Sequence, residues 1–198
     1  MQETIREAIQ KTDGQESQLY RMKYSSPVGA LTLTSNQEAL VSLEFEQERY
    51  PFVVPGDFQV TEVSSDAQTG QRTCQKAAIP LPLLQAIDWL DCYFSGQRPD
   101  FLPPISPEGS SFRRRVWREL LNIPYGATVT YGSIAKKLAL EDGRPHMSAQ
   151  AVGGAVGHNP IGIIIPCHRV VGSDGSLTGF GGGIETKKAL LTLEGIQY

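Results

Sequence analysis

The stretch TVTYGSIAKKLALEDGRPHMSAQAVGGAVGHN, residues 128–159, decides how the second half of this chain folds. The segments on either side of EDGRP are predicted as helices, and EDGRP itself carries the glycine and proline of a tight turn. Two helices joined by a short glycine-containing turn are typical of a helix-turn-helix. The stretch therefore predicts a mainly helical unit that presents one helix to a ligand surface.

The second of these helices is unusual because Gly153, Gly154 and Gly157 fall within it. Each glycine costs a helix about 1 kcal/mol relative to alanine. Two explanations stay open. The glycines either let a neighbouring helix pack closely, or they join Ala149 and Ala151 in letting the backbone approach a surface as narrow as a DNA minor groove.

A further helix is predicted upstream over SFRRRVWRELLNIP, residues 111–124, with Ser110 or Ser111 as its cap and Pro124 as its end. Its arginine run is interpreted as a solvated face. The segment before it, residues 98–111, is rich in proline, serine and glycine and is predicted to be a linker.

The first half of the chain predicts a small α/β unit. Three short strands are expected over Leu19–Tyr24, Gly29–Thr34 and Leu40–Phe45, with turns at SSPVG and SNQE. Residues 47–79 show little periodicity and predict a loop with one further strand at most. A helix begins near Pro80, and its expected apolar face consists of Leu83, Leu84, Ile87, Leu90 and Phe94.

The stretch IIIPCHRVVG, residues 163–172, places polar chemistry directly after an apolar run. Ile163–Ile165 predict a buried strand, and Pro166 stops it by removing a backbone donor. Cys167 and His168 then follow where the chain leaves the core. The residues alone leave two interpretations open: a reactive thiol–imidazole pair, or an inert buried cysteine beside a surface histidine.

Composition narrows the class of protein. The 198 residues are 40% hydrophobic and 20% charged, as in an ordinary water-soluble globular protein, and no run approaches the ~18 apolar residues of a membrane span. The polar N-terminus lacks the apolar core of a secretory signal, which favours a cytoplasmic protein. Cys74, Cys92 and Cys167 are odd in number and form no CxxC pair, so we expect neither a disulfide framework nor a metal site.

Charge is divided unevenly along the chain. The net charge is −3 overall, but residues 1–110 carry −7 and residues 111–198 carry +4. Such an asymmetry suggests that the second half meets a polyanion.

A family resemblance brings these observations together. NPIGIIIPCHRVVGSDGSLTGFGGGIETKKALLTLEG, residues 159–195, resembles the active-site half of the O6-alkylguanine-DNA alkyltransferases, the methylated-DNA–protein-cysteine methyltransferases. FRRRVWREL, IPYGATVTYGSIA and AQAVGGAVGHNP occur in the family's order, and LDCYFSGQRPDF is similar more loosely. The resemblance implies an α/β N-terminal domain of ribonuclease-H-like topology at 1–105. It implies a mainly α, winged helix-turn-helix domain at 106–198 that binds DNA and transfers the alkyl group.

The resemblance also implies an activity. The protein would be a monomer that takes the alkyl group from O6-alkylguanine in double-stranded DNA onto its own Cys167, once per molecule and without cofactor or metal. Whether it also repairs O4-alkylthymine stays open. The implied catalytic residues are the nucleophile Cys167, the base His168, its orienting carboxylate Glu194, the hinge residue Asn159 and the proton donor Tyr131. Without the resemblance, Glu194 reads as a solvated glutamate at a helix end.

The same resemblance assigns residues to DNA and base binding. The implied DNA contacts are Gln150, Ala149, Ala151 and Gly153; a phosphate contact from Arg144, in the turn before the helix, is a separate hypothesis. The base pocket would be lined by Val170, Phe180 and Gly181. Three positions depart from the common pattern: Gln150 replaces the usual arginine that fills the gap left by the flipped base, Phe180 replaces a frequent tyrosine, and Gly181 replaces a serine found in some members.

Two other classes of protein compete with this interpretation. A winged-helix regulator or a related non-reactive damage sensor would bind DNA without transfer, although the sensors lack the reactive cysteine. A cysteine hydrolase would use Cys167, His168 and Glu194 for repeated turnover. Turnover separates the three classes: none for the sensor, one for the alkyltransferase and many for the hydrolase.

Overall fold

The computed structural model describes residues 18–46, 48–56, 58–63 and 79–198. Two compact units emerge, an N-terminal unit of Met1–Glu46 with Pro51–Pro107 and a C-terminal unit of Gln47–Tyr50 with Glu108–Tyr198. We propose domain bounds of 1–105 and 106–198. The predicted polar tail and Cys74 lie outside the described residues.

The N-terminal unit is built on a four-stranded mixed sheet. Its strands are β1 (Gln18–Ser26), β2 (Gly29–Ser35), β3 (Leu40–Phe45) and β4 (Gln59–Glu62). They lie in the order β3-β2-β1-β4; the β1–β2 and β2–β3 pairs are antiparallel, and β4 joins β1 in parallel. The three predicted strands are confirmed, and β4 is the further strand allowed for between residues 47 and 79.

Both predicted turns have a side-chain explanation. Ser26 and Gly29 pair at the end of the first hairpin, where Gly29 has a φ of +104° that a larger residue rarely adopts. In the second turn the Asn36 Oδ1 atom accepts hydrogen bonds from the backbone N–H groups of Glu38 at 2.9 Å and Ala39 at 2.7 Å. Local side-chain chemistry therefore defines where the strands end.

Helix α1 (Leu81–Phe94) packs against β1, β2 and β3 with a face that only partly matches the predicted one. Leu83 and Leu90 are buried as expected, whereas Leu84 and Ile87 are only partly buried. The buried face is completed by Pro82, Ala86, Trp89 and Tyr93. The predicted face was right for Leu83 and Leu90 and incomplete elsewhere, because a helix with apolar residues on several sides leaves its exact orientation to tertiary packing.

The predicted linker is partly structured. Ile105 is fully buried and bridges to Leu40 at the edge of the sheet. The Leu40 N–H donates to Pro104 O at 2.9 Å, and the Ser106 N–H donates to Leu40 O at 2.8 Å. The segment therefore covers an edge strand before the chain enters the C-terminal unit.

The C-terminal unit contains four helices and one short pair of parallel strands among the described residues. They are α2 (Ser111–Leu121), β5 (Val129–Thr130), α3 (Tyr131–Glu141), α4 (Ala149–Gly157), β6 (Val170–Val171) and α5 (Ile184–Leu193), with a 3₁₀ turn at Cys167–Arg169. Helices α3 and α4 contact each other, which confirms the helix-turn-helix predicted from the sequence.

Capping residues fix the starts of these helices. The hydroxyls of Ser110, Thr130 and Ser148 accept hydrogen bonds from backbone N–H groups in the first turns of α2, α3 and α4. Trp117 on α2 is buried, and its indole N–H donates to Ala155 O on α4 at 2.8 Å. Arg115, part of the run interpreted as solvated, instead pairs with Asp142 at the end of α3 at 2.8 Å.

The predicted strand at Ile163–Ile165 is wrong, although its burial is right. The three isoleucines are at most 3% exposed but form a turn, with Ile163 at a φ of +65°. Asn159 explains the difference. Its Nδ2 donates to Ile165 O at 2.8 Å and its Oδ1 accepts from the Ile161 N–H at 3.1 Å, so one side chain supplies the hydrogen bonds a neighbouring strand would supply.

Across the described part of the chain, none of the helices combines the length and the apolar character needed to cross a membrane.

Candidate active site

Cys167 lies at the start of the 3₁₀ turn that follows Pro166, and its side chain is almost entirely enclosed, with 8% exposure. The Asn159 Nδ2 atom donates to Cys167 Sγ at 3.1 Å. The same amide that shapes the isoleucine turn therefore also holds the sulfur. Asn159 follows His158, the C-cap of α4, so it links the end of that helix to the thiol.

A buried ion-pair network stands next to the thiol in the chain. His168 is fully buried, and its Nε2 lies 2.7 Å from Glu194 Oε1. Arg169 binds the same carboxylate through Nε at 2.9 Å and Nη2 at 3.0 Å, while its Nη1 donates to Ile123 O at 2.8 Å. Glu194 also accepts from the Gly126 N–H at 3.1 Å. The carboxylate is thus satisfied by three different donors, in place of the solvated helix-end residue that was the alternative.

The protonation states follow from burial and from these partners. Burial alone would raise the pKa of Glu194, but the hydrogen bonds from His168 and Arg169 outweigh it and lower that pKa to about 2. Burial lowers the pKa of His168, so its imidazole is neutral at physiological pH. A neutral ring beside a carboxylate donates its Nε2–H, which leaves the lone pair on Nδ1.

The thiol itself is protonated in the free protein. Burial raises the pKa of Cys167 to about 11, although the Asn159 hydrogen bond and the charge of Lys187 act to lower it. The charge of Glu48 acts with burial to raise it. A thiolate is the nucleophile, so the site must shift this balance when it reacts.

Lys187 is a site residue that the sequence analysis missed. It lies on α5 with no exposed surface, and its Nζ donates to Val170 O at 2.6 Å and to Thr178 O at 3.0 Å. Burial lowers its pKa to about 8. The signal available in the sequence was its spacing, three and four residues before the buried Leu190 and Leu191.

Arg169 was also missed, although it follows Cys167 and His168 directly and stands between two apolar runs. Three consecutive polar residues enclosed by IIIP and VV indicate that each needs a buried partner. Glu194 provides the partner for both His168 and Arg169.

Tyr131 and the segment before α5 form a second side of the site. The Tyr131 hydroxyl donates to Thr178 O at 3.4 Å, the carbonyl that also binds Lys187. Burial raises the pKa of Tyr131, and the charge of Cys167 adds to this, so the phenol keeps its proton. Val170 is fully buried, whereas Phe180 and Gly181 are partly exposed. A donor and a partly open wall therefore lie near the thiol.

All but one of the proposed DNA-contacting residues are exposed. Ala149, Gln150, Ala151 and Arg144 are all exposed. Gly153 is partly buried, and a Cβ atom there would lie 3.7 Å from the Tyr131 ring.

The two other glycines of α4 test the packing explanation that was offered for them. A Cβ atom at Gly154 or Gly157 would meet no described atom within 4 Å. Close packing inside the described protein therefore does not account for these glycines. Approach of an outside surface to this helix stays the prediction for them.

Within the described residues, no group of three or more histidine, cysteine, aspartate or glutamate side chains is arranged to hold a metal ion. Cys92 and Cys167, the two described cysteines, are both free thiols.

Two family models together match nearly the whole described chain. Residues 19–107 match "6-O-methylguanine DNA methyltransferase, ribonuclease-like domain", and residues 111–196 match "6-O-methylguanine DNA methyltransferase, DNA binding domain".

Individual relatives agree. A methylated-DNA–protein-cysteine methyltransferase of Mycobacterium tuberculosis is 41% identical over 169 residues, which are 85% of this chain and 88% of the relative. Its counterpart from Haemophilus influenzae is 41% identical over 182 residues, 91% of this chain and 88% of the relative. The crystal structure of Mycobacterium tuberculosis OGT in complex with DNA is similar at a TM-score of 0.69 and 36% identity, covering 88% of this chain and 92% of that one.

Proposed function

The chain belongs to the 6-O-methylguanine DNA methyltransferase family, and from this premise we propose which of its residues carry out the reaction and in what order. As a methylated-DNA–protein-cysteine methyltransferase it repairs O6-methylguanine in DNA. The observation that carries the residue assignment is the position of Cys167 between the Asn159 amide, at 3.1 Å from its sulfur, and the adjoining His168–Glu194 pair.

The first step brings the lesion to the thiol. Helix α4 enters the minor groove with its small exposed residues, because an uncharged surface without long side chains permits close approach. The alkylated guanine rotates out of the stack, at a cost of a few kcal/mol. Gln150 occupies the space it leaves, and Arg144 contacts a phosphate beside the turn. The base then lies against Val170, Phe180 and Gly181.

The transfer forms one bond and breaks one. The Cys167 proton passes to Nδ1 of His168, through a bridging water where the two side chains do not meet, and Glu194 stabilises the resulting imidazolium. The sulfur attacks the methyl carbon, so an S–CH₃ bond forms as the O6–CH₃ bond breaks. Tyr131 donates to the departing guanine, which would otherwise carry the negative charge. Overall, the proton lost by the Cys167 thiol ends on the guanine ring.

The product explains the stoichiometry we propose. Water does not remove the methyl group from the Cys167 thioether. The free thiol is therefore not regenerated, and each molecule reacts once. We propose that the protein works in this way as a cytoplasmic monomer on double-stranded DNA, without cofactor or metal.

The test is a count of repaired bases per protein. A duplex carrying one O6-methylguanine is mixed with the protein at several ratios, and the DNA is digested to nucleosides to measure restored deoxyguanosine. We expect repair to rise with added protein and to stop at one base per molecule. Repeated turnover would instead indicate a hydrolase, and tight lesion binding without repair would indicate a sensor.

A further inference from the structure

The described residues 48–50, between β3 and Pro51, belong to the C-terminal unit. We call Glu48–Tyr50 the 48–50 segment. The ring of Tyr50 stacks on the ring of His158 with centroids 4.0 Å apart and an interplanar angle of 14°. His158 ends α4 and its Nδ1 lies 2.7 Å from Gly154 O. The segment is thus attached to the C-terminal end of the helix that we propose binds DNA.

The carboxylate of Glu48 lies against Gly181. A Cβ atom built on Gly181 would be 1.9 Å from Glu48 Oε1 and 2.9 Å from Oε2, so the carboxylate occupies the place of a side chain at position 181. The Arg49 N–H donates to Oε1 at 3.2 Å, which helps to hold the group there. Gly181 is one of the residues that we assign to the base pocket. A carboxylate therefore stands on the wall where the base would bind.

The same carboxylate acts on the thiol. Among the groups that face Cys167, Glu48 raises the pKa of the thiol by repulsion of the thiolate, and Lys187 lowers it. Tyr131 lies near enough for the charge of Cys167 to raise its own pKa, and neutral His168 adjoins the cysteine. Glu48 is the negative charge in this set, and it opposes the ammonium that favours the reactive form.

We propose that Glu48 is a specificity-determining residue: its carboxylate occupies the base pocket beside Gly181 in the free protein and restrains Cys167 until an extruded base displaces it. This inference rests on the proposed roles of Cys167 and Gly181. An extruded alkylguanine and the Glu48 carboxylate compete for the same space beside Gly181, and the negative charge that develops on the guanine during transfer repels the carboxylate. DNA phosphates arriving at α4 repel the carboxylate as well, and the Tyr50–His158 stack places the segment beside that helix.

The consequence is discrimination between sources of an alkyl group. A lesion in DNA binds together with its duplex. The free energy of duplex binding offsets the cost of displacing the Glu48 carboxylate. Small electrophiles and free nucleosides bring no such binding free energy. Glu48 therefore protects a single-use thiol from wasteful alkylation.

The test compares three reagents on four proteins. The proteins are wild type, Glu48→Gln, Glu48→Ala and the control Glu46→Gln, which makes the same change at an exposed glutamate two residues away. The reagents are iodoacetamide without DNA over a pH series, free O6-methyl-2′-deoxyguanosine, and a duplex with one O6-methylguanine. Alkylation of Cys167 is followed by intact-protein mass spectrometry and peptide mapping.

Both Glu48 variants should react several-fold faster with iodoacetamide near neutral pH, with a pH profile shifted downward, because each unit of thiol pKa changes the thiolate fraction about tenfold. They should also react faster with the free nucleoside, and Glu48→Ala should gain more there because it vacates the space. Transfer from the duplex should change much less, and Glu46→Gln should match wild type.

Unchanged iodoacetamide and nucleoside rates in both variants would overturn the proposal. A slower duplex reaction in both variants would overturn it too, since Glu48 would then assist base binding. The wild-type duplex arm reports separately on the proposed function: if the duplex does not methylate Cys167 of the wild type, that assignment fails whatever the variants do.

Discussion

The turn around Cys167 and the outer face of α4 contribute to one reaction, but the first is buried and the second is exposed. In the first, polar groups are buried and nearly every one is bound: the Glu194 carboxylate alone accepts from His168, Arg169 and Gly126. In the second, the exposed residues include alanines and a glutamine, and a side chain added at Gly154 would enter open space. Buried groups fix the geometry of the chemistry, whereas the exposed face stays free of internal contacts so that another surface can approach it.

This comparison predicts that substitutions in the first region damage folding and transfer together. Substitutions on α4 should separate stability from DNA binding.

Glu194→Gln should have the largest effect. It leaves Arg169 and His168 in a buried site without the opposing charge, and breaking such a pair typically costs about 3 kcal/mol or more. Loss of the carboxylate that stabilises the imidazolium should also slow methyl transfer about a hundredfold or more. Urea unfolding and single-turnover transfer measure the two effects. Glu185→Gln, an exposed glutamate on the same helix, is the control and should lose no more than about 1 kcal/mol.

The same residue gives a pH dependence with a defined sign. Because the pKa of Glu194 falls from 4.5 to about 2 on folding, its contribution to stability is fully present above pH 4.5 and is lost as the pH falls towards 2. Stability curves of wild type and Glu194→Gln should therefore converge in acid. Parallel curves through this range would contradict the ion-pair account.

Lys187→Met should come next. The change leaves the Val170 and Thr178 carbonyls without their buried donor, at about 1–3 kcal/mol, and removes the positive charge that favours the thiolate. The pH profile of iodoacetamide alkylation should move upward. A merely structural role would lower stability without moving that profile. Lys188→Met, an exposed neighbour, should leave both measurements unchanged.

Gly154→Ala should raise stability and weaken DNA binding. A substitution at a residue needed for internal packing would lower stability instead. The new methyl group meets no described atom within 4 Å, so the helix should gain about 1 kcal/mol of intrinsic propensity. The same methyl group projects from the proposed contact face. Thermal unfolding and duplex titration check the two signs, and an unchanged affinity would show that DNA does not approach this position.

Arg144→Ala should have the smallest effect. Arg144 is exposed in the turn between α3 and α4, where it can neutralise one phosphate. Its loss should reduce the slope of log affinity against log salt by about 0.9 and leave transfer from saturating DNA intact. If affinity and salt slope match those of wild type, Arg144 does not contact the phosphate backbone.

Local signals were enough to predict much of the fold. The hairpins and the helix-turn-helix follow from turn and capping residues whose hydrogen bonds are local, such as Asn36 and Ser148. The strand expected at Ile163–Ile165 was wrong because the side-chain amide of Asn159, a few residues earlier in the chain, supplies the hydrogen bonds. Period and burial do not reveal such a partner.

The part of the site that lies within the sequence motif was predictable. Cys167 and His168 attract notice as residues, whereas the role of Glu194 came only with the family resemblance. Glu48 was missed because nothing local distinguishes a pocket carboxylate from a solvated one. Lys187 was missed because its spacing to Leu190 and Leu191 indicates burial but does not reveal its carbonyl partners. Their meaning arises from elements far apart in the chain, the α5 helix and the segment after β3.

The most direct test of the central claim is the location of the transferred methyl group. Wild type, Cys167→Ser and Cys92→Ser are each mixed with a duplex carrying one O6-methylguanine, and the proteins are measured by intact mass spectrometry and peptide mapping. The account predicts one methyl group on Cys167 in wild type and in Cys92→Ser, and none in Cys167→Ser. A methyl group on Cys167→Ser, or a wild type that restores guanine while its own mass stays unchanged, would contradict it.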